Sequence, residues 1–394
     1  MTQTAITGNK GDRIRSDCQV KLQILEKGGI RIELKSKVDR MFGEQIRQQA
    51  LEVLESLEVS HAILEMEDSG ALPFVIAARI EAAVKKLRPT TKHWIPPVIE
   101  QNRYETTRER FRFSRLYLPG NSPSMMLNAG IHQPDGIILD LEDSVAPERK
   151  AEARLLVRNA LCQVDFYGAE RMVRINQLPA GLEDLDEVVP YHVNLVLLPK
   201  CEHGSQVTEL THRIQSILKA HKQKREIFLM PIIESALGVE NAFEIASASD
   251  TVVALAIGLE DYTADLGVKR TQTGEESLYA RTRLVNACKA AGIQPIDSVY
   301  SDVANMEGLK KNVETSRALG FEGMGCIHPR QVPVIHEAFT PTEEEIDKAR
   351  RIVEAFQEAE ARGSGVVALG SKMIDPPVVK RAQKTIELAT KLKS

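Results

Sequence analysis

Apolar positions along the first 88 residues keep short periods that change from stretch to stretch. In "CQVKLQI", Cys18 to Ile24, apolar and polar side chains alternate, and they alternate again in "IRIEL", Ile30 to Leu34. Such alternation predicts strands with one buried face, and Gly28-Gly29 between them predicts a hairpin turn. Phe42, Ile46, Ala50, Val53, Leu54 and Leu57 then recur at helical spacing. A further strand is expected over Ala62 to Met66 and a helix from Ala71 to Leu87. From Arg88 to Arg112 the chain has prolines, many charges and no period, which reads as a linker over 89–112.

Beyond it, eight apolar runs each precede a helix-period segment. They are "RLYLPG", "DGIILDLED", "RMVRINQ", "LVLLPK", "IFLMPIIES", "VVALAIGLED", "PIDSVY" and "GMGCIHP". Strand then helix, eight times over, predicts an α/β fold: a (β/α)8 TIM-type barrel within 113–394, with a C-terminal helical extension. A doubly wound open sheet would alternate too, but no G-x-G-x-x-G marks a dinucleotide turn.

Barrels carry their chemistry at the carboxyl ends of the strands. Polar residues collect there: Pro119-Gly120, Asp140, Glu142, Asp143, Arg174, Asn176, Lys200, Glu234, Glu260, Asp261, Asp297, Tyr300 and His328. A mouth with several acids and few bases would repel itself unless a cation sat in it. Carboxylates without clustered His or Cys suit a hard divalent ion such as Mg2+. Glu234 in "MPIIES" and Asp261 in "GLEDYTADLG" follow consecutive strands, which sets them side by side at the rim. Either alone reads equally well as an ordinary half-exposed strand-end acid, and Asp265 as a cap for the helix after it. Arg174 lies between Val173 and Ile175, so it is either an ion-pair partner of the acids or a fork for a substrate oxygen. His328 reads as a satisfied histidine beside a proline, Asp375 as a helix N-cap, and Glu343 to Asp347 as a solvated first helical turn.

Composition narrows the classes. A net charge of -4 without basic runs disfavours nucleic-acid and membrane-surface partners. No secretory pattern opens the chain and no apolar run approaches membrane-spanning length. Five scattered cysteines fit reduced thiols in a cytoplasm.

"RLYLPGN", "LDLEDSVAPERK", "VRIN", "LLPK", "PIIESALGVENA", "GLEDYTADLG", "SVYSD" and "IHPRQ" occur in the order of the citrate lyase β-subunit family, kin of malyl- and citramalyl-coenzyme A lyases. The resemblance covers roughly Ser114 to Ala389. Residues 1–88, through "GGIRIELKSKVDRMFGEQIRQQALEVLESLEV" and "MEDSGALPFVIAARIEAAV", resemble the citrate lyase acyl carrier protein, a small α+β domain. The resemblance implies that Glu234 and Asp261 ligate Mg2+, with Glu234 also contacting substrate. It implies that Arg174 grips the substrate and stabilises a departing enolate, and that Asp375, from a neighbouring subunit, supplies a proton. Glu142 and Asp143 are expected to hold metal-bound waters.

The activity implied is cleavage of a citryl thioester to oxaloacetate and an acetyl thioester, in a homo-oligomer and in company with an α-type transferase subunit. Alternatives are a stand-alone malyl- or citramalyl-coenzyme A lyase and a non-catalytic scaffold. Some coenzyme A-using relatives carry a basic residue soon after the "PG", and "GNSPSMM" has none. The carrier family bears its phosphoribosyl-dephospho-coenzyme A arm on a serine. Here Arg15 stands at that place and Ser16 one position later, so the domain is expected to be unloaded.

Overall fold

Four strands and two helices follow from the alternation in the first 88 residues, but one pairing differs from expectation. The structure, a computed structural model, describes residues 3–393 apart from Arg362, Ser364, Gly370 and Ser371. It divides into two compact units, Met1–Val332 and Pro333–Ser394. The first opens with β1 (Thr4–Gly8), β2 (Cys18–Ile24), β3 (Ile30–Ser36), α1 (Asp39–Ser56), β4 (Ala62–Asp68) and α2 (Pro73–Leu87). The sheet order is β1-β2-β4-β3, with β3 parallel to β4 and the other pairs antiparallel.

No hairpin forms across Gly28-Gly29, because β4 lies between β2 and β3. The turn hydrogen-bonds to the start of β4 instead: Leu25 N–H donates to the His61 carbonyl (2.9 Å) and Ala62 N–H to the Gly29 carbonyl (3.0 Å). Alternation specifies which face of a strand is buried, not which strand lies beside it. On α1 the stripe Ile46, Ala50, Val53 and Leu54 is buried, with Leu57 just beyond, while Phe42 stays exposed.

In α2 every residue from Phe74 to Val84 is buried, including Arg79 and Glu81. A helix covered all round must have partners on both sides. Ile76, Ala77, Ile80, Ala83 and Val84 pack in the core of the small sheet. The charges on α2 meet the next part of the chain.

That part is the barrel. Its elements are β5 (Ser114–Pro119), α3 (Pro123–Met126), β6 (Gly136–Asp140), α4 (Lys150–Gln163), β7 (Glu170–Arg174), α5 (Gly181–Val188), β8 (Leu195–Leu198) and α6 (Gly204–Ala220). They continue with β9 (Phe228–Ile233), α7 (Ala236–Glu240), α8 (Ala242–Ala246), β10 (Ala254–Ile257), α9 (Leu259–Asp265), α10 (Leu278–Ala291), β11 (Gln294–Ile296), α11 (Met306–Leu319) and β12 (Met324–Cys326), and α12 (Gln331–Phe339) begins at the end of this unit and lies mostly in the second. All eight predicted runs form strands. They pair in parallel in the order β11-β10-β9-β8-β7-β6-β5-β12, and a parallel bridge from Asp297 to Met324 closes the ring.

Two ion-pair clusters join α2 to the barrel. Arg79 donates to both oxygens of Asp17 (3.0 Å each), lies 3.4 Å from Glu152 on α4 and reaches the Asn121 carbonyl (3.2 Å). Glu81 takes a two-pronged bond from Arg158 on α4 (3.0 and 2.7 Å), with Lys85 (3.0 Å) and His93 (3.1 Å) beside it. The segment over 89–112 is pinned as well. Asn102 is buried and donates to the Leu161 and Val164 carbonyls, and Arg112 forks onto Glu170 (2.7 and 2.9 Å).

In the second unit α13 (Glu343–Ala361) and α14 (Pro376–Lys393) pack together, with β13 (Val367–Leu369) and β14 (Lys372–Ile374) paired antiparallel. Thr342 and Glu345 cap α13 reciprocally, which assigns the acids there a helix-start role. Among the described residues no helix is long and apolar enough to cross a membrane, and all five cysteines are buried and free.

Candidate active site

The loops after the barrel strands enclose a cavity of about 800 Å³. Asp140 and Asp143 of "LDLED" border it, and these two acids and Glu142 each meet a base. Asp140, at the end of β6, takes a two-pronged bond from Arg174 at the end of the adjacent β7 (2.7 and 2.8 Å). It also accepts from the Glu142 and Ser144 N–H groups, so one carboxylate shapes the loop and fixes the arginine. Burial works against the charge of Asp140, but the hydrogen bond and charge of Arg174 together with the bonds from Ser144 and the Glu142 N–H outweigh it and hold the carboxyl below its usual range. The third arm of Arg174 lies 2.8 Å from Glu142 and 3.5 Å from Asp143, and the ring of Tyr117 lies 5.4 Å beneath the guanidinium.

Lys200, just past β8, is the second base. It is a non-glycine residue in the left-handed region (φ 49°), a conformation that positions the chain at some energetic cost. Its Nζ stands 3.4 Å from Glu142, 3.9 Å from Asp143 and 3.8 Å from Asp261. The expectation of an acidic mouth with few bases is therefore corrected. Neighbouring strands β7 and β8 supply two cations to the acids that follow β6; Arg174 is an ion-pair partner of those acids and also borders the cavity.

Glu234 ends β9, almost fully buried, and accepts the Lys200 N–H (2.8 Å). Its other oxygen lies over Gly258, where any Cβ would come within 2.4 Å, so glycine is required at the start of α9. Burial above all, with Glu142 and Asp261 adding to it, pushes the Glu234 carboxyl up to about 8. A carboxylate that would otherwise hold its proton at neutral pH is a natural partner for a cation. Asp261, on the first turn of α9, borders the same cavity. Among the described residues no cluster of three or more His, Cys, Asp or Glu side chains forms a metal site. Glu234 and Asp261 both border the cavity, and a hard ion held by them would need further oxygens from water or substrate.

Other expected site residues have structural engagements. Asn176 binds Asp184 (2.7 and 2.8 Å), and Asp297 is buried with Arg281 and Ser316. Tyr300 turns its hydroxyl against Gly308. His328 borders the cavity, but its Nδ1 accepts from Arg330 N–H within the turn. Asp265 does not cap the following helix; it accepts from Ala236 N–H and so caps α7, which precedes it. Asp375 lies in the second unit as the N-cap of α14, accepting from Val378 N–H (3.2 Å). Arg115 and Tyr117, both on β5, border the cavity and were not singled out by the sequence pattern. The available signal was a charge inside an apolar strand, the same one that marked Arg174.

Residues 114–329 match the family described as HpcH/HpaI aldolase/citrate lyase, and residues 3–87 match the family described as malonate decarboxylase delta subunit. The chain is 41% identical to citrate lyase subunit beta of Haemophilus influenzae over 283 residues, 71% of this chain and 97% of that protein. It is 34% identical to human mitochondrial citramalyl-CoA lyase over 291 residues, 71% of this chain and 85% of that protein. Among solved structures, CitE from Mycobacterium tuberculosis in complex with magnesium, acetoacetate and coenzyme A superposes with a TM-score of 0.60 at 30% identity, over 72% of this chain and all of that one.

Proposed function

The chain belongs to the HpcH/HpaI aldolase/citrate lyase family and is a carbon–carbon lyase of that family, and from that premise we propose that it cleaves a citryl thioester to oxaloacetate and an acetyl thioester with Mg2+. The observation that carries the proposal is the buried Glu234 beside Asp261, across a cavity from an arginine fixed by Asp140. Glu234 and Asp261 would hold the ion; when bound, it would supply Lewis-acid polarisation to the tertiary hydroxyl oxygen, which becomes the ketone oxygen, and to the neighbouring carboxylate.

The tertiary hydroxyl loses its proton, the bond to the thioester-bearing CH2 breaks, and the electron pair passes into a thioester enolate that takes up a proton at carbon. Arg174 offers that enolate a positive charge already held still by Asp140, so little reorganisation is needed as charge develops. Glu142 and Asp143 are proposed acceptors for ordered water at the rim, and Asp375 the proton source. By the family resemblance Asp375 would come from a neighbouring subunit of a homo-oligomer. Incubation with citryl-, citramalyl- and malyl-coenzyme A and Mg2+, following keto-acid release, tests the assignment. Oxaloacetate from the citryl ester is the expected product; preferential release of pyruvate or glyoxylate from the other two would replace it with the alternative activity.

Arg174→Lys keeps the charge but loses the planar fork that Asp140 grips. It is expected to raise KM and lower kcat together, and wild-type kinetics would leave Arg174 only its ion-pair role.

The N-terminal domain, proposed to span 1–88, is proposed to carry no covalent arm. Arg15 is exposed, has no hydroxyl, and occupies the expected serine position. Ser16 sits in the left-handed region (φ 55°), so the strand-like alternation that would point it away from Arg15 does not apply. Its N–H is bonded to the Ser69 carbonyl, and Asp17 next to it is locked on Arg79. Intact-mass measurement of protein from its native host should return the unmodified mass; an adduct of phosphoribosyl-dephospho-coenzyme A on Ser16 would refute this. The pinning of α2 to the barrel supports delivery of the thioester by a free coenzyme or a separate carrier; partnership with an α-type transferase is proposed from the family resemblance alone.

A further inference from the structure

The barrel interior holds a guanidinium for which the chemistry described so far has no use. Arg115, second residue of β5, is 1% exposed and borders the same cavity as Glu234 and Arg174. Its Nη1 touches only the sulfur of Met230 (2.8 Å), and its Nε has no hydrogen-bond partner. Among the described residues no carboxylate pairs with it, although every other fully buried arginine is differently placed. Arg79, Arg112 and Arg158 fork onto acids, and Arg171 donates to carbonyls of His192 and Tyr104. Burial pulls the Arg115 group down to about 10, so it stays charged at neutral pH. An unpaired buried cation is costly to a fold, and an apolar residue of similar volume would fill the position without that cost.

The surroundings say where an anion would come from. Met230 contacts Arg115, and Tyr117, Ile232 and Ala256 line the cavity with it; Glu170, whose charge acts on Arg115 without a direct bond, is forked by Arg112. Tyr117 lies between the two arginines, its ring under Arg174 and its hydroxyl in the field of Arg115. Arg115 is thus one aromatic side chain below the rim. Arg115, Tyr117 and Gly325 line one cavity, the shaft by which a substrate branch reaches the guanidinium, and a Cβ on Gly325 would clash with Val299 (2.7 Å) and with the Tyr117 ring (3.2 Å) packed against it.

We propose that Arg115 is the specificity-determining residue of the lyase, recognising a second free carboxylate on the acyl group. The inference rests on the thioester-lyase reading above and deepens it. In this pose the carbinol carbon would have its hydroxyl and adjacent carboxylate at the ion held by Glu234 and Asp261, and its thioester arm would lead past Arg174 to solvent. The remaining branch points down the shaft. In a citryl group that branch is CH2–COO⁻; in a citramalyl group it is a methyl and in a malyl group a hydrogen. A methyl would be at home among Met230, Ile232 and Ala256 without any arginine. The carboxylate alone pairs the buried guanidinium, and a site whose buried polar group is left unpaired by the wrong substrate discriminates strongly.

The test compares wild type with Arg115→Met and Arg115→Lys in the Mg2+-loaded full-length protein. For Arg115→Met the ratio of citryl to citramalyl kcat/KM should fall by about 100-fold or more. Arg115→Lys should recover part of it, since it keeps the charge without the fork. Arg115→Met should melt no lower than wild type, because a buried unpaired charge has been removed. Equal losses on both thioesters, or an unchanged ratio, would overturn the proposal. A second arm does not need turnover: calorimetric binding of oxaloacetate against pyruvate. Wild type should prefer oxaloacetate and Arg115→Met should lose that preference. Absence of the preference in wild type would overturn the role of Arg115 even if citryl cleavage stands. Presence of it without citryl cleavage would sink the lyase assignment and leave Arg115 as a dicarboxylate reader.

Discussion

Glu234→Gln and Asp261→Asn should each lower lyase turnover by about a hundredfold or more, because partners one shell further out already cost tenfold to a hundredfold at metal sites. Both variants should also need far more Mg2+ for half-maximal activity. The fold should survive. Glutamine at 234 keeps an acceptor for the Lys200 N–H and removes a carboxyl whose charge burial already opposes, and Asp261 is partly exposed on the rim. Thermal melts should therefore match or exceed wild type while activity collapses. Full turnover by either variant in metal-free buffer would remove the metal assignment, and Arg174 and Asp140 would have to carry the site alone.

The largest stability effect is expected elsewhere, at the contact between α2 and the barrel. Arg158→Ala leaves Glu81 buried with Lys85, His93 and the Trp94 N–H near it but without its arginine, and truncating one partner of a buried pair costs about 3–5 kcal/mol. The carboxyl of Glu81 is held well below its usual range: burial opposes its charge, but hydrogen bonds from His93 and Arg158 outweigh that. The double change Glu81→Gln with Arg158→Met should recover much of the loss, since no fully buried charge is left behind and Glu187, which also loses Arg158, keeps Lys85. Calorimetry on the three proteins separates these outcomes. If the single variant melted with wild type, α2 would be held to the barrel by its apolar contacts and not by this pair.

How much was legible in the sequence depends on whether a feature is local. Each barrel strand announced itself as a short apolar run, and the rim acids as charges ending such runs, so Glu234 and Asp261 could be named beforehand. Pairings across the chain could not. The period of β2 and β3 gives a buried face but not the strand inserted between them. The many charges over 89–112 suggested a free tether, yet Arg112 and Asn102 are buried because their partners, Glu170 and two helix-end carbonyls, lie about 60 residues on. The mouth looked acidic because Lys200 and Arg174 belong to other strands than the acids they neutralise. Arg115 was passed over for the converse reason: only the three-dimensional structure reveals that an arginine inside an apolar strand has no acid to meet.

The central claim is carbon–carbon cleavage assisted by a hard divalent ion at Glu234 and Asp261. Purified protein stripped with a chelator, then given citryl-coenzyme A with and without Mg2+, tests it most directly when every product is quantified. Oxaloacetate and acetyl-coenzyme A should appear one for one, only after Mg2+ is restored. Citrate and free coenzyme A in their place would mean thioester hydrolysis, and oxaloacetate released at full rate without metal would mean that the two carboxylates serve something other than an ion.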